Sequence, residues 1–181
     1  MENLMPTRWA ILISGRGSNL AAAIDELGEQ IQIVVTSNAK AGGILRAKRA
    51  GIEVIQLPKP VSWIELTKVL KERQINNIFL LGFMKIIPVE FIQDWRDKII
   101  NLHPSLLPLY PGLESIQRAY DEKANVGVSV HRVIPEVDAG EILLQKKSYG
   151  SDELSRLTFE QVELKVHQDE QLLVRKLIGR L

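Results

Sequence analysis

Strand-like and helix-like hydrophobic patterns take turns along the first hundred residues of this chain. Residues 9–13 form an unbroken apolar run that gives way to Ser14-Gly15-Arg16-Gly17-Ser18-Asn19, and residues 20–27 then carry helix formers at apolar helical spacing. That order reads as strand, glycine turn and helix. Residues 30–35 alternate and then become apolar, predicting a second strand closed by Thr36-Ser37-Asn38. Residues 44–50 predict a basic amphipathic helix stopped by Gly51, and residues 53–57 a third strand before Pro58 and Pro60. Apolar side chains at 63, 64, 66, 69 and 70 predict a helix over 63–73. A fourth strand over 75–81 ends at Gly82, a short helix follows over 89–95, and a fifth strand covers 98–102.

The rhythm then changes. Residues 128–133 alternate strongly and residues 142–147 predict another strand, both read as antiparallel additions. Residues 152–178 read as helical, with Leu154, Leu157, Phe159, Val162, Leu164, Val166, Leu172, Leu173 and Leu177 marking a buried stripe. Strands alternating with helices imply a parallel sheet with right-handed crossovers. The expected fold class is therefore α/β: one Rossmann-like open sheet, mostly parallel, with antiparallel strands in the C-terminal half and helices on both faces. With 181 residues and no linker or repeat, a single domain over 1–181 is expected, with one half over about 8–100 and the other over 101–181.

Composition narrows the function more than the fold. The 23 basic and 22 acidic side chains nearly cancel, which gives no global signature of nucleic-acid binding. The absence of cysteine excludes disulfides, thiolate metal sites and cysteine nucleophiles. No apolar run approaches the roughly 18 residues that span a bilayer. Residues 1–8 are mixed and polar, unlike a signal peptide, so a cytoplasmic protein is expected.

Three segments carry candidate chemistry. In Ser14-Gly15-Arg16-Gly17-Ser18-Asn19, the glycines permit a tight turn, and a helix start favours an anion such as phosphate. The Gly-Lys-Ser/Thr ending of a triphosphate loop is missing, and Leu20 stands where a dinucleotide fingerprint has its third glycine. A plain capped turn fits the same residues. Residues 101–108 read Asn-Leu-His-Pro-Ser-Leu-Leu-Pro. Two apart on an extended segment, Asn101 and His103 point to one side and bring together an amide donor and a proton-transfer group. That pair suits attack on a carbonyl-type centre, although a capping Asn and a surface His fit as well. An acidic turn over residues 135–141 holds Asp138, whose pairing with His103 depends on the fold; a solvated hairpin turn is the stronger reading from spacing. His131 fits a sheet histidine better than a site residue, and His167 fits a surface position. The three histidines lack metal-ligand spacing.

Taken together, these segments resemble the formyltransferases that use 10-formyltetrahydrofolate. The resemblance covers most of the chain, through residues 11–20, 81–87, 101–108, 127–131 and 137–140. The His-Pro-Ser-Leu-Leu-Pro element is shared across that group. The Ser-Gly-x-Gly-Ser-Asn turn resembles more closely the members acting on glycinamide ribonucleotide in purine synthesis, a substrate that carries a phosphate. The resemblance implies the formyltransferase fold and a one-carbon transfer from 10-formyltetrahydrofolate to that amine. It implies that Asn101, His103 and Asp138 are catalytic and that Gly17, Ser18 and Asn19 bind the phosphate. Met84, Lys85, Ile86 and Ile87 would hold the pterin, and Asn101, Val137, Ala139 and Gly140 the formyl-bearing end of the folate. Glu170 aligns loosely with an acidic residue that helps hold the nucleotide. The implied partners are the two small molecules, with no metal, nucleic acid or membrane; a homodimer stays open.

The chain also departs from that pattern. Glu114-Ser115-Ile116-Gln117-Arg118-Ala119 replaces a His-rich stretch of a mobile folate-side loop in the family. Lys85 stands where Arg is common, only Lys59 approximates an arginine of the folate tail, and the chain ends at Leu181 without the usual polar tail. Two alternatives therefore remain: transfer to another amine, such as an amino sugar nucleotide, or a folate- or nucleotide-binding homologue without activity.

Overall fold

The computed structural model describes residues 7–178, so the polar N-terminal stretch up to residue 6 and the chain end from residue 179 lie outside the described residues. The chain divides into two compact units, Met1–Ile99 and Ile100–Leu181.

In the first unit, β1 (Trp9–Ile13), β2 (Ile31–Thr36), β3 (Glu53–Gln56) and β4 (Asn77–Leu80) run parallel in the order β3-β2-β1-β4. This is the order of the first strands of a Rossmann sheet. Every residue of β1 is buried. A strand apolar at all positions needs cover on both faces, which a parallel sheet flanked by helices provides. The helices are α1 (Ser18–Leu27), α2 (Gly43–Arg49), α3 (Trp63–Glu72) and α4 (Val89–Asp94). In α1, Leu20, Ala23 and Leu27 bury one stripe at three- and four-residue spacing. Ser62 caps α3 by accepting from the Glu65 N–H.

The second unit is antiparallel, with β5 (Ile99–His103), β6 (Val126–Arg132) and β7 (Ile142–Tyr149) in that order. Its helices are α5 (Ser115–Asp121), α6 (Ser151–Leu154) and α7 (Phe159–Ile178). The mostly parallel first unit and antiparallel second unit give the expected α/β class.

Three local expectations are corrected. Helix α5 occupies part of a stretch expected to be loop; its buried face is made of Ser115 and Ala119, two small residues that leave no apolar periodicity to read. The last helical region is interrupted between α6 and α7. Within α7, Leu164 is 61% exposed and Leu172 sits at the surface, whereas Asp169, Glu170 and Val174 are buried. The buried aspartate keeps its charge through Lys146 at 3.1 Å and Lys165 at 2.7 Å, as a buried carboxylate requires. Apolarity alone could not reveal a helix face that buries paired charges.

Candidate active site

In an antiparallel ladder, residues directly opposite one another project from the same face. The β5–β6 register places Asn101 opposite His131 and His103 opposite Ser129. Ser129 is buried and organises the turn after β5: its hydroxyl donates to the Ser105 carbonyl at 2.6 Å and accepts from the Leu107 N–H at 3.1 Å. Gln145 on β7 donates to the Leu107 carbonyl at 2.9 Å. The Ser105 hydroxyl closes the turn onto the Leu109 carbonyl at 2.7 Å. The segment from Pro104 to Leu109 is thus bonded at several points to β6, which carries His131, and to its neighbour β7.

Asp138, from the β6–β7 connection, is the hub. Its Oδ2 lies 3.4 Å from His103 Nδ1 and accepts from the Gly112 N–H at 2.8 Å. Its Oδ1 lies 3.4 Å from His131 Nε2 and accepts from Asn101 Nδ2 at 3.3 Å. Asp138 itself has a left-handed backbone, φ 51°, a conformation that Asp tolerates better than most residues. The three residues expected to be catalytic therefore meet, and His131 joins them.

The backbone decides which ring nitrogen is which. A carbonyl only accepts, so the 3.0 Å contact of His103 Nε2 with the Tyr110 carbonyl places a proton on Nε2. Nδ1 is left facing Asp138. In His131 the 2.8 Å contact of Nδ1 with the Arg132 carbonyl places a proton on Nδ1. Neutral His131 then offers Nε2 as acceptor to the Asn101 amide at 3.2 Å. As imidazolium it donates from Nε2 instead, toward Asp138 Oδ1.

Asp138 is a fixed negative charge at neutral pH. Burial is the largest influence and works to raise its pKa. Hydrogen bonding with His131, the Gly112 N–H and the charges of the two histidines together outweigh it and lower the pKa to about 2.

The other expected site residues separate by unit. In the first unit the Ser14 hydroxyl ties three strand ends together: it meets Ser37 Oγ at 3.0 Å and accepts from the Met84 N–H at 3.0 Å, while the Ser14 N–H donates to the Gly82 carbonyl at 3.1 Å. The glycine turn and the start of the 84–87 segment are thereby neighbours. Gly17 is the N-cap of α1 with φ 80°; no side chain caps the helix and its first turn has no acidic residue. A Cβ on Gly17 would stand 2.6 Å from Gly43 Cα, so close packing of α1 on α2 also demands this glycine. Ser18 is exposed and Asn19 half-buried. Met84 and Ile86 are 66% and 87% exposed, Lys85 is exposed, and Ile87 is half-buried.

In the second unit Val137 is exposed, as is Ala139. Gly140 has a packing reason of its own, since a Cβ there would collide with the Arg132 carbonyl. Glu170 is buried on α7, where its carboxylate accepts from His167 Nδ1 at 2.8 Å. Among the described residues, no group of three or more His, Asp or Glu is placed to hold a metal ion, and no helix is long and apolar enough to cross a membrane. His131, the Tyr110 carbonyl and the Gly112 N–H are the site groups that sequence reasoning undervalued. Only the strand register and a long-range turn place them there.

Residues 7–177 match the sequence profile of the family described as formyl transferase. The chain belongs to the formyl transferase family. It is 38% identical to the phosphoribosylglycinamide formyltransferase of Dictyostelium discoideum, covering 88% of this chain and 90% of that protein. It is 41% identical to the trifunctional purine biosynthetic protein adenosine-3 of Drosophila pseudoobscura pseudoobscura over 76% of this chain; the match spans 11% of that longer protein's length. Among solved structures, the phosphoribosylglycinamide formyltransferase of Anaplasma phagocytophilum superposes with a TM-score of 0.88 at 35% identity, covering 95% of this chain and 84% of that one. For a formyl transferase, a linked amide, imidazole and carboxylate are the groups that acyl transfer needs.

Proposed function

We propose that this formyl transferase moves the formyl group of 10-formyltetrahydrofolate to the amine of glycinamide ribonucleotide, a step of de novo purine synthesis. The observation that carries the reading is the convergence of Asn101, His103 and Asp138 in one hydrogen-bonded group. The names and coverage of the relatives support the choice of acceptor and pathway.

In this reading the neutral amine attacks the formyl carbon. A new C–N bond forms, the bond from that carbon to folate N10 breaks, and one proton passes from the amine to the departing nitrogen. Negative charge builds on the formyl oxygen in between. Asn101 Nδ2 stabilises it with an N–H now engaged in one of two contacts of 3.2 and 3.3 Å, long enough for an incoming oxygen to compete. His103 works through Nδ1, because Nε2 is held by the Tyr110 carbonyl. As imidazolium it donates to the oxyanion, and the Asp138 carboxylate beside it balances the charge and relays the amine proton through water. Gly17, Ser18 and Asn19 receive the phosphate at the uncapped start of α1. Met84, Lys85, Ile86 and Ile87 supply apolar cover and backbone groups to the pterin, and Val137, Ala139 and Gly140 flank the formyl-bearing end. Glu170 contributes to holding the nucleotide.

The test is a direct assay of formyl transfer with glycinamide ribonucleotide against a panel of other amines, amino sugar nucleotides included. Selective formylation of glycinamide ribonucleotide is expected. Preference for another amine would overturn the acceptor, and folate binding without transfer to any amine would overturn the enzyme reading.

A further inference from the structure

The carbonyl that fixes the tautomer of His103 belongs to a turn that is itself held in place. Tyr110 has φ 54°, a left-handed conformation that a bulky side chain adopts only when its surroundings impose it. Those surroundings come from α5. The Arg118 guanidinium donates from Nη2 to the Pro111 carbonyl, and its Cζ lies 5.7 Å from the centre of the Tyr110 ring, within cation–π reach. The Tyr110 hydroxyl donates to Glu122 Oε2 at 2.6 Å. Glu122 raises the pKa of the phenol through that bond, which keeps it a donor. On the far side of the same turn, the Gly112 N–H is spent on Asp138. Helix α5 is anchored in turn by buried Ser115, whose hydroxyl donates to the Pro104 carbonyl at 3.1 Å, and by buried Ala119.

We propose that Arg118 and Glu122 are positioning residues: by clamping the Tyr110–Pro111 turn they hold the Tyr110 carbonyl on His103 Nε2, so that Nδ1 is the nitrogen presented for proton transfer. The inference rests on the active-site reading above. It gives the unusual 114–119 stretch a task, because Arg118 comes from that stretch. An imidazole without its backbone acceptor can flip, which turns the wrong nitrogen toward Asp138, or change tautomer, which puts its proton on Nδ1.

The test uses the full chain with Arg118→Ala, Arg118→Lys and Tyr110→Phe. Side-chain 15N NMR of neutral His103 is expected to show a single tautomer with the proton on Nε2 in the wild type, and a mixture in Arg118→Ala. In the same variant kcat should fall roughly tenfold, part of the 10²–10⁴ that positioned proton transfer is worth, with the KM for the acceptor unchanged within about twofold. Arg118→Lys should restore most of both, since an ammonium can also donate to the Pro111 carbonyl and sit over the ring. If Arg118→Ala does not fold, Tyr110→Phe carries the test, with smaller changes of the same kind. A single Nε2–H tautomer together with undiminished kcat in the folded variants would overturn the proposal. The NMR comparison needs no turnover, so a wild type that formylates no amine would defeat the functional reading and leave the tautomer result to stand or fall by itself.

Discussion

Asp138 touches Asn101, His103, His131 and the Gly112 N–H, and its ionisation reports on these contacts. Its pKa in the folded protein, about 2, lies below the ordinary carboxylate value of 3.8. A depressed folded pKa contributes stability that is fully present above the unfolded pKa and is lost as pH falls through the folded one. The contribution is on the order of 2 kcal/mol, lost between about pH 4 and pH 2. Asp138→Asn should therefore flatten this part of the acid limb. Urea unfolding of both proteins across pH 2–7 is the measurement, and parallel acid limbs would refute the depressed pKa. Asn101→Ala makes a separate claim, about the transition state. Removing one oxyanion donor costs about 10²–10³ in kcat, so that variant should lose turnover on this scale and keep its substrate affinities. Single-turnover kinetics with binding measured separately would check it, and an unchanged kcat would take Asn101 out of the chemistry.

At the scale of elements, the packing role of the turn before α1 and the phosphate role proposed for it can be separated by substitution. Gly17 has φ 80° and packs against Gly43, whereas Gly15 has no atom within 4 Å of where its Cβ would be. Gly17→Ala should cost at least about 1–2 kcal/mol from the left-handed backbone alone, and chemical denaturation will show it. Gly15→Ala should leave stability nearly unchanged. A rise in the acceptor KM for Gly15→Ala, without loss of stability, would tie the turn to the phosphate; an unchanged KM would leave only the packing role. These elements also show where the amino-acid pattern was legible. Strands β1 to β5 were readable because each is a short segment with adjacent apolar residues, followed within a few positions by Gly, Pro or Asn. Helix α5 was not, because it buries Ser115 and Ala119. Neither was the buried edge of α7, because Asp169 and Glu170 are charges made tolerable by partners elsewhere in the chain or one turn away.

Over the whole molecule, the two kinds of information divide by range. The alternation of apolar and polar residues determines the α/β class, the change from parallel to antiparallel strands, and the glycine turn at the start of a helix. These are local consequences of side-chain period and backbone freedom. The spacing of Asn101 and His103 likewise determines that they share a face, since side chains on a strand alternate. The tertiary structure alone decided the remainder. Opposition of Asn101 to His131 follows from strand register, and the arrival of Asp138 from the shape of the β6–β7 connection. The roles of the imidazole nitrogens were set by carbonyls of Tyr110 and Arg132, one of them presented by a turn held from α5. A sequence names the groups that can donate, accept or carry charge; which hydrogen bond each one makes depends on contacts between residues distant in the chain, and those exist only once the chain has folded.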